Sequence, residues 1–266
     1  MAALRMMIVG AHPDDCEFAA GGLAALGAKR GWEIRFLTAT SGDAGHHEMK
    51  RAPLKARRRL EARRAAAVIG ARADSLGEPD GGIYVTPRTT DRMIAAIRQF
   101  DPDVLVTHRT CDYHRDHRAT AQLVLDASFM LMVPLTCPRV RAVRRMPVIL
   151  YHSDRFSEGP AFRPDLVFDI TAVLPLKVRM LLEHVSQMRE WLPWLAGRRE
   201  IGRRNPLPVD AALRRDLAER SRATARRFAG ALRRKYRRAP AAAEAYQISE
   251  YGRRPSAAEL ARLLPF

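Results

Sequence analysis

Strand and helix patterns alternate through the first half of this chain, and few architectures accept that order. Residues 6–10 form an apolar run that reads as a buried strand. Residues 17–30 read as a helix with acid in its first turn, which suits the positive end of the helix dipole, and Gly31 closes it. Gly21 and Gly22 weaken that helix but permit close packing. A strand at 33–39, an Arg/Ala-rich helix at 54–69, a short strand at 73–77, a helix at 88–100, a strand at 103–107 and a helix from about 116 to 133 continue the series. This order predicts an α/β fold, a mostly parallel sheet with helices on both faces. If the strands take the doubly wound order 3-2-1-4, strands one and four are neighbours whose crossovers leave on opposite faces. A crevice then opens between their carboxyl ends.

Beyond that unit the pattern loosens. Residues 134–147 look irregular, with Pro134, Pro138 and Pro147. Strands are expected at 148–152 and 166–170, helices at 172–191 and about 209–238, and a strand at 244–251. The expected organisation is one domain over 1–266. Its core spans about 5–190, and a helical and strand extension follows from about 191 to 266.

Two polar clusters fall on the two strand ends that the topology makes adjacent. The first strand exits into His12-Pro13-Asp14-Asp15-Cys16-Glu17. The fourth exits into His108-Arg109-Thr110-Cys111-Asp112-Tyr113-His114-Arg115-Asp116-His117. A catalytic zinc takes three protein ligands and keeps one position open, and water bound there has a pKa of roughly 7 instead of about 15.7. His12 and Asp15 stand three apart across a tight turn that Pro13 stiffens, so both can face one point. Asp14 points elsewhere and is placed to take a proton from water. The third ligand must come from the second cluster. His114 and His117 share a face at a helix start. Both could ligate, or His117 ligates while His114 stabilises an oxyanion or protonates a departing amine. Asp116 could hold an imidazole in one tautomer.

At these residues the sequence resembles the PIG-L/LmbE-like family of zinc-dependent de-N-acetylases, which act on N-acetylglucosaminyl conjugates. The resemblance rests on Ala11-His12-Pro13-Asp14-Asp15 with Glu17 and on His114-Arg115-Asp116-His117. Arg58-Arg59-Leu60-Glu61, Leu76-Gly77-Glu78-Pro79-Asp80-Gly81, and Asp169-Ile170 with Lys177 and His184-Val185-Ser186-Gln187 support it. It implies a Rossmann-like sheet without a dinucleotide site, and Gly10-Ala11-His12-Pro13 indeed lacks the glycine fingerprint. It implies that His12, Asp15 and His117 bind zinc or another divalent metal and that Asp14 is the general base. His114 would polarise the tetrahedral intermediate with Asp116 tuning it, and Arg58 and Asp80 would contact the sugar-like part of the substrate. The implied substrate is a small-molecule N-acetyl sugar conjugate.

Composition narrows the remaining classes. The formal charge is +17, with 46 basic residues of which five are Lys. Residues 198–238 hold 15 Lys and Arg against 4 Asp and Glu, which reads as a solvated helix face and not as a nucleic-acid surface. The rivals are a metal hydrolase of another amide and a non-catalytic protein that binds polyanions or a membrane surface. No run reaches the roughly 18 apolar residues of a membrane span. No signal peptide is expected. Three cysteines without CxxC spacing suit reduced thiols in a cytoplasmic setting. A homo-oligomer is left open. His46, His47 and His108 are further imidazoles near the expected crevice. His46 and His47 read as loop residues at the substrate side or simply exposed, and His108 as a structural hydrogen-bonding group. Trp191-Leu192-Pro193-Trp194 either caps the mouth of the site or packs.

Overall fold

The computed structural model describes residues 3–198 and 208–266, so residues 199–207 of the basic run lie outside the described part. The N-terminal unit runs β1 (Arg5–Gly10), α1 (Asp15–Ala28), β2 (Glu33–Thr40), α2 (Arg51–Ala67), β3 (Arg72–Glu78), α3 (Pro87–Phe100), β4 (Val104–Thr107) and α4 (Arg115–Met130). β5 (Val148–His152) and β6 (Leu166–Asp169) follow, then α5 (Leu174–Glu183), a π-helical turn (Ser186–Trp191) and α6 (Leu192–Leu195). α7 (Ala211–Arg227), α8 (Ala229–Tyr236), β7 (Ala243–Ile248) and α9 (Ala257–Leu263) complete the chain.

The seven strands form one sheet in the order β3-β2-β1-β4-β5-β7-β6. The first five are parallel, and β7 runs antiparallel to both β5 and β6. The expected 3-2-1-4 order and the crevice beside β1 and β4 are therefore present. β1 shows why a parallel sheet forms. Met6 and Ile8 enter one apolar core with residues of α1, α2 and α5, while Met7 and Val9 enter the other with residues of α3 and α4. A strand covered on both faces must be apolar on both, which is how its sequence reads.

Two long helices differ from the expectation. The helix expected over 172–191 stops at Glu183, because His184 takes φ −81° and ψ 63° and the chain re-enters as a π turn. The helix expected over 209–238 splits at Phe228, whose φ of −110° and ψ of 26° let it pack with Phe162. The last strand ends at Ile248. Arg214, Arg215, Arg226 and Arg227 lie on the exposed face of α7, in keeping with a solvated charge run. Among the described residues no helix is long and apolar enough to cross a membrane. Gly22 permits the close packing expected of it: a Cβ there would lie 2.7 Å from Ile170 and 2.9 Å from the Glu244 carboxylate.

Candidate metal centre

The turn after β1 is tighter than its residue types required. α1 begins at Asp15, two residues earlier than its sequence pattern suggests, and Asp14 caps it with φ 119°. A non-glycine residue held there stores backbone strain, which clusters at functional sites. Asp15 folds back over the turn. Its Oδ2 accepts hydrogen bonds from the backbone N–H of Ala11 at 3.0 Å and His12 at 2.7 Å.

That same oxygen is where the imidazoles converge. It lies 3.3 Å from His12 Nδ1 and 3.4 Å from His117 Nε2. Two donors bound to one tetrahedral ion at 2.0–2.1 Å would lie about 3.3 Å apart. The outer nitrogens face carboxylates. His12 Nε2 is 3.3 Å from both Asp80 Oδ1 and Asp116 Oδ2, and His117 Nδ1 is 3.1 Å from Asp112 Oδ2. Imidazoles whose outer N–H is held by a carboxylate and whose inner nitrogen faces a common point are arranged as metal ligands. Three overlapping groups here have ligand atoms within 4.8 Å of one another and could hold a metal ion: His12, His114 and His117; Asp15, His108 and His117; and His12, Asp80 and Asp116.

Electrostatics agree with the geometry. Burial works to lower the His12 pKa, but Asp116, Asp15 and Asp80 overcome it and raise it well above the ordinary value. Burial likewise opposes the charge on Asp15, yet His117, His108 and His12 hold its carboxyl well below the usual range. Three carboxylates around one imidazole favour positive charge, and a proton and a metal cation compete for that position. Asp14 is different. Burial pushes it up to about 6, against the pull of Arg58.

The remaining expected residues are brought to the same cavity, of about 420 Å³, which His12, Asp14, Asp15, Arg58, Asp80, His114 and His117 help to line. His114 caps α4, its Nδ1 accepts the Asp116 N–H at 3.2 Å, and its ring centre is 4.6 Å from that of His12. The Asp116 carboxylate reaches His12 and accepts the Gly81 N–H at 2.7 Å, so its side-chain partner is His12 and not His114. Arg58 is buried on α2. Its guanidinium donates to the carbonyls of Gly42, at 2.9 Å, and Pro13, and lies 3.4 Å from Asp14 Oδ2. Gly42 has φ 64°, and a Cβ there would strike the guanidinium, so glycine is required at that point.

Three groups carry more than their sequence context showed. His108 Nε2 accepts the Ala11 N–H at 3.3 Å and lies 3.6 Å from Asp15 Oδ2, and its ring stacks on His117. Its Nδ1 meets His152 Nε2 at 3.0 Å. Asp112 holds His117. His152 ends β5 as His108 follows β4, so inspection of every strand end beside the crevice would have found it. His46 is not a loose loop residue: its side chain is 1% exposed and its Nε2 lies 2.9 Å from Glu190 Oε2. Arg57 also grips Glu190 at 2.6 and 2.8 Å. Glu61 of the Arg-x-x-Glu motif accepts the backbone N–H and hydroxyl of Ser186 at 2.9 and 2.6 Å, which fixes the π turn over the cavity. Trp191 and Leu192 line the cavity mouth.

Comparison with known proteins adds a family match over part of the chain. The model of the PIG-L family, described as GlcNAc-PI de-N-acetylase, matches residues 7–128. A 4-oxalmesaconate hydratase of Pseudomonas putida is 27% identical over 193 residues, which is 70% of this chain and 74% of that protein. The crystal structure of GalB, the 4-carboxy-2-hydroxymuconate hydratase from Pseudomonas putida KT2440, superposes with TM-score 0.73 and 23% identity, covering 95% of this chain and 98% of that one. The N,N'-diacetylchitobiose deacetylase from Pyrococcus horikoshii superposes with TM-score 0.72 and 18% identity, covering 94% of this chain and 85% of that one. These likenesses show the same α/β fold in proteins that are enzymes. Through residues 7–128 the chain matches the PIG-L (LmbE-like) family, as the resemblance of its strand-end motifs implied.

Proposed function

We propose that this chain is a metal-dependent hydrolase that removes an acetyl group from an N-acetylated amino-sugar conjugate. The observation that carries the reading is the convergence of His12 and His117 on Asp15 Oδ2 with Asp14 buried beside them. His12, Asp15 and His117 would hold the ion, and zinc suits two imidazoles and a carboxylate, as do other divalent transition metals. Such an ion acidifies water and polarises an amide carbonyl when bound.

The protein groups divide the remaining work. Asp14, with a pKa of about 6, takes the proton of the attacking water near neutrality and returns it to the departing amine. His114 presents Nε2 to the amide oxygen as charge develops there. Asp116 holds His12 and Asp112 holds His117, so neither imidazole turns away. Asp80 accepts sugar hydroxyls. Arg58, whose terminal nitrogens are engaged by two carbonyls, acts on the substrate chiefly by placing Asp14. The partner is a small molecule, and the free cysteines Cys16, Cys111 and Cys137 support a cytoplasmic setting.

A second reading has one observation in its favour, the 27% identity to the Pseudomonas putida hydratase. Hydration of a carbon–carbon double bond also begins with activated water and a positioned base. Acetate release from N-acetylglucosaminides, measured beside loss of the ultraviolet absorbance of 4-oxalmesaconate, separates the two. Deacetylation alone supports the proposal, and hydration alone replaces it.

A further inference from the structure

The cavity above the metal centre changes character with height. Its floor is ionic and buried: His12 and Asp14 are each 8% exposed. Its upper wall is apolar and open. Tyr113 is 76% exposed, Leu195 61% and Leu192 38%, and Phe18 and Trp191 line the same space. Single exposed apolar residues on a surface need no explanation, but three around one cavity mouth, with the half-buried Phe18 and Trp191 beside them, do.

The wall is also held firmly. Trp191 stacks on Trp194 with ring centres 5.3 Å apart and planes within 18°, and His47 stacks on Trp194 at 5.0 Å within 9°. Behind them Glu61 anchors Ser186, and Glu190 is clamped by Arg57 and His46. A preset aromatic surface binds without an ordering penalty. Arg58 is the one arginine or lysine lining the cavity among the described residues, its terminal nitrogens already donate to Gly42 and Pro13, and the Arg220 guanidinium lies over the Phe18 ring of the wall, 5.7 Å from its centre.

We infer that the substrate carries an apolar group, aryl or medium-chain alkyl, next to the acetamido sugar, and that Phe18, Tyr113, Trp191, Leu192 and Leu195 form its subsite. This rests on the deacetylase reading for the position of the sugar on the polar floor. The apolar wall is itself independent of the reaction. Removing an aryl-sized group from water against such a wall strengthens binding by roughly tenfold or more.

The test uses the metal-loaded full chain with methyl, phenyl and octyl glycosides of N-acetylglucosamine. Acetate release gives kcat and KM, and tryptophan emission gives binding without turnover, since of the three tryptophans Trp191 lines the wall and Trp194 stacks on it. The phenyl and octyl compounds are expected to show KM at least about tenfold below the methyl compound with kcat little changed, and Leu195→Ser is expected to narrow that ratio. Equal KM for all three, unaltered by Leu195→Ser, overturns the subsite and leaves the deacetylase reading standing. If no glycoside is hydrolysed, saturable change of tryptophan emission by the phenyl and octyl compounds alone still supports the subsite while the deacetylase reading falls. No such change overturns the subsite as well.

Discussion

Two buried ionic networks share helix α1, and they are built in opposite ways. At its N-terminus Asp15 gathers imidazole nitrogens at 3.3 to 3.6 Å around one oxygen, beside an open cavity. One turn further on, Lys177 and Glu244 close on each other as a buried ion pair. Lys177 Nζ donates to Glu244 Oε1 at 2.7 Å and to the Phe18 carbonyl at 2.9 Å. Glu244 also accepts the N–H groups of Gly22 and Leu23 and the hydroxyl of Tyr246, at 2.7 to 2.8 Å. The second network ties α1, α5 and β7 together. The first leaves inner imidazole nitrogens converging where a cation fits. Buried charge alone does not mark a functional site. Donors that converge without completing one another's hydrogen bonds do.

The contrast can be broken at either end. The largest effect is expected at Asp14. Asp14→Asn keeps the ligand set and removes the base, so kcat should fall by about 10²- to 10⁴-fold with metal content unchanged. Retained turnover in an acetate-release assay would remove the base assignment. Glu244→Ala, in the closed network, leaves Lys177 buried and unpaired and should destabilise the fold by about 3–5 kcal/mol. Urea unfolding measures this, and the metal stoichiometry of the folded fraction should not move. Asp112→Asn lies between the two kinds. It loosens His117 without removing a ligand, and competition with a chelator should show metal affinity weakened by about 10- to 100-fold.

The smallest effect concerns His184, buried 3.1 Å from Glu17. Burial opposes its charge, but Glu17 and Asp14 raise its pKa above the ordinary value. A folded-state pKa raised above the unfolded value gives stability that is full below the unfolded pKa, near about 6.5. That stability is lost as pH rises through the folded value. The midpoint of urea unfolding should therefore fall as pH rises through that window, and His184→Gln should flatten the slope. An unchanged slope would show that the pair is not ionised.

The floor of the site was readable in the sequence because its groups sit on strand ends that topology makes adjacent. His12, Asp15, His114 and His117 needed only the 3-2-1-4 order to meet. Asp112 sat unremarked inside the second cluster, and His152 was invisible until β5 was placed beside β4. The mouth was less readable. Helical periodicity runs on through 172–191, and the break at His184 is set by long-range partners, Glu17 for the imidazole and Glu61 for Ser186. The glycine-rich stretch around His46 and His47 looked free for the same reason: Glu190, which holds His46, lies about 140 residues away.

Metal content tests the central claim most directly. Purified protein, and the His12→Ala and His117→Ala variants confirmed as folded by circular dichroism, would be analysed by plasma mass spectrometry after equilibration with zinc and removal of the excess. The expected result is about one ion per chain in the native protein and far less in both variants. An ion-free native protein, or variants that keep the full complement, would contradict it.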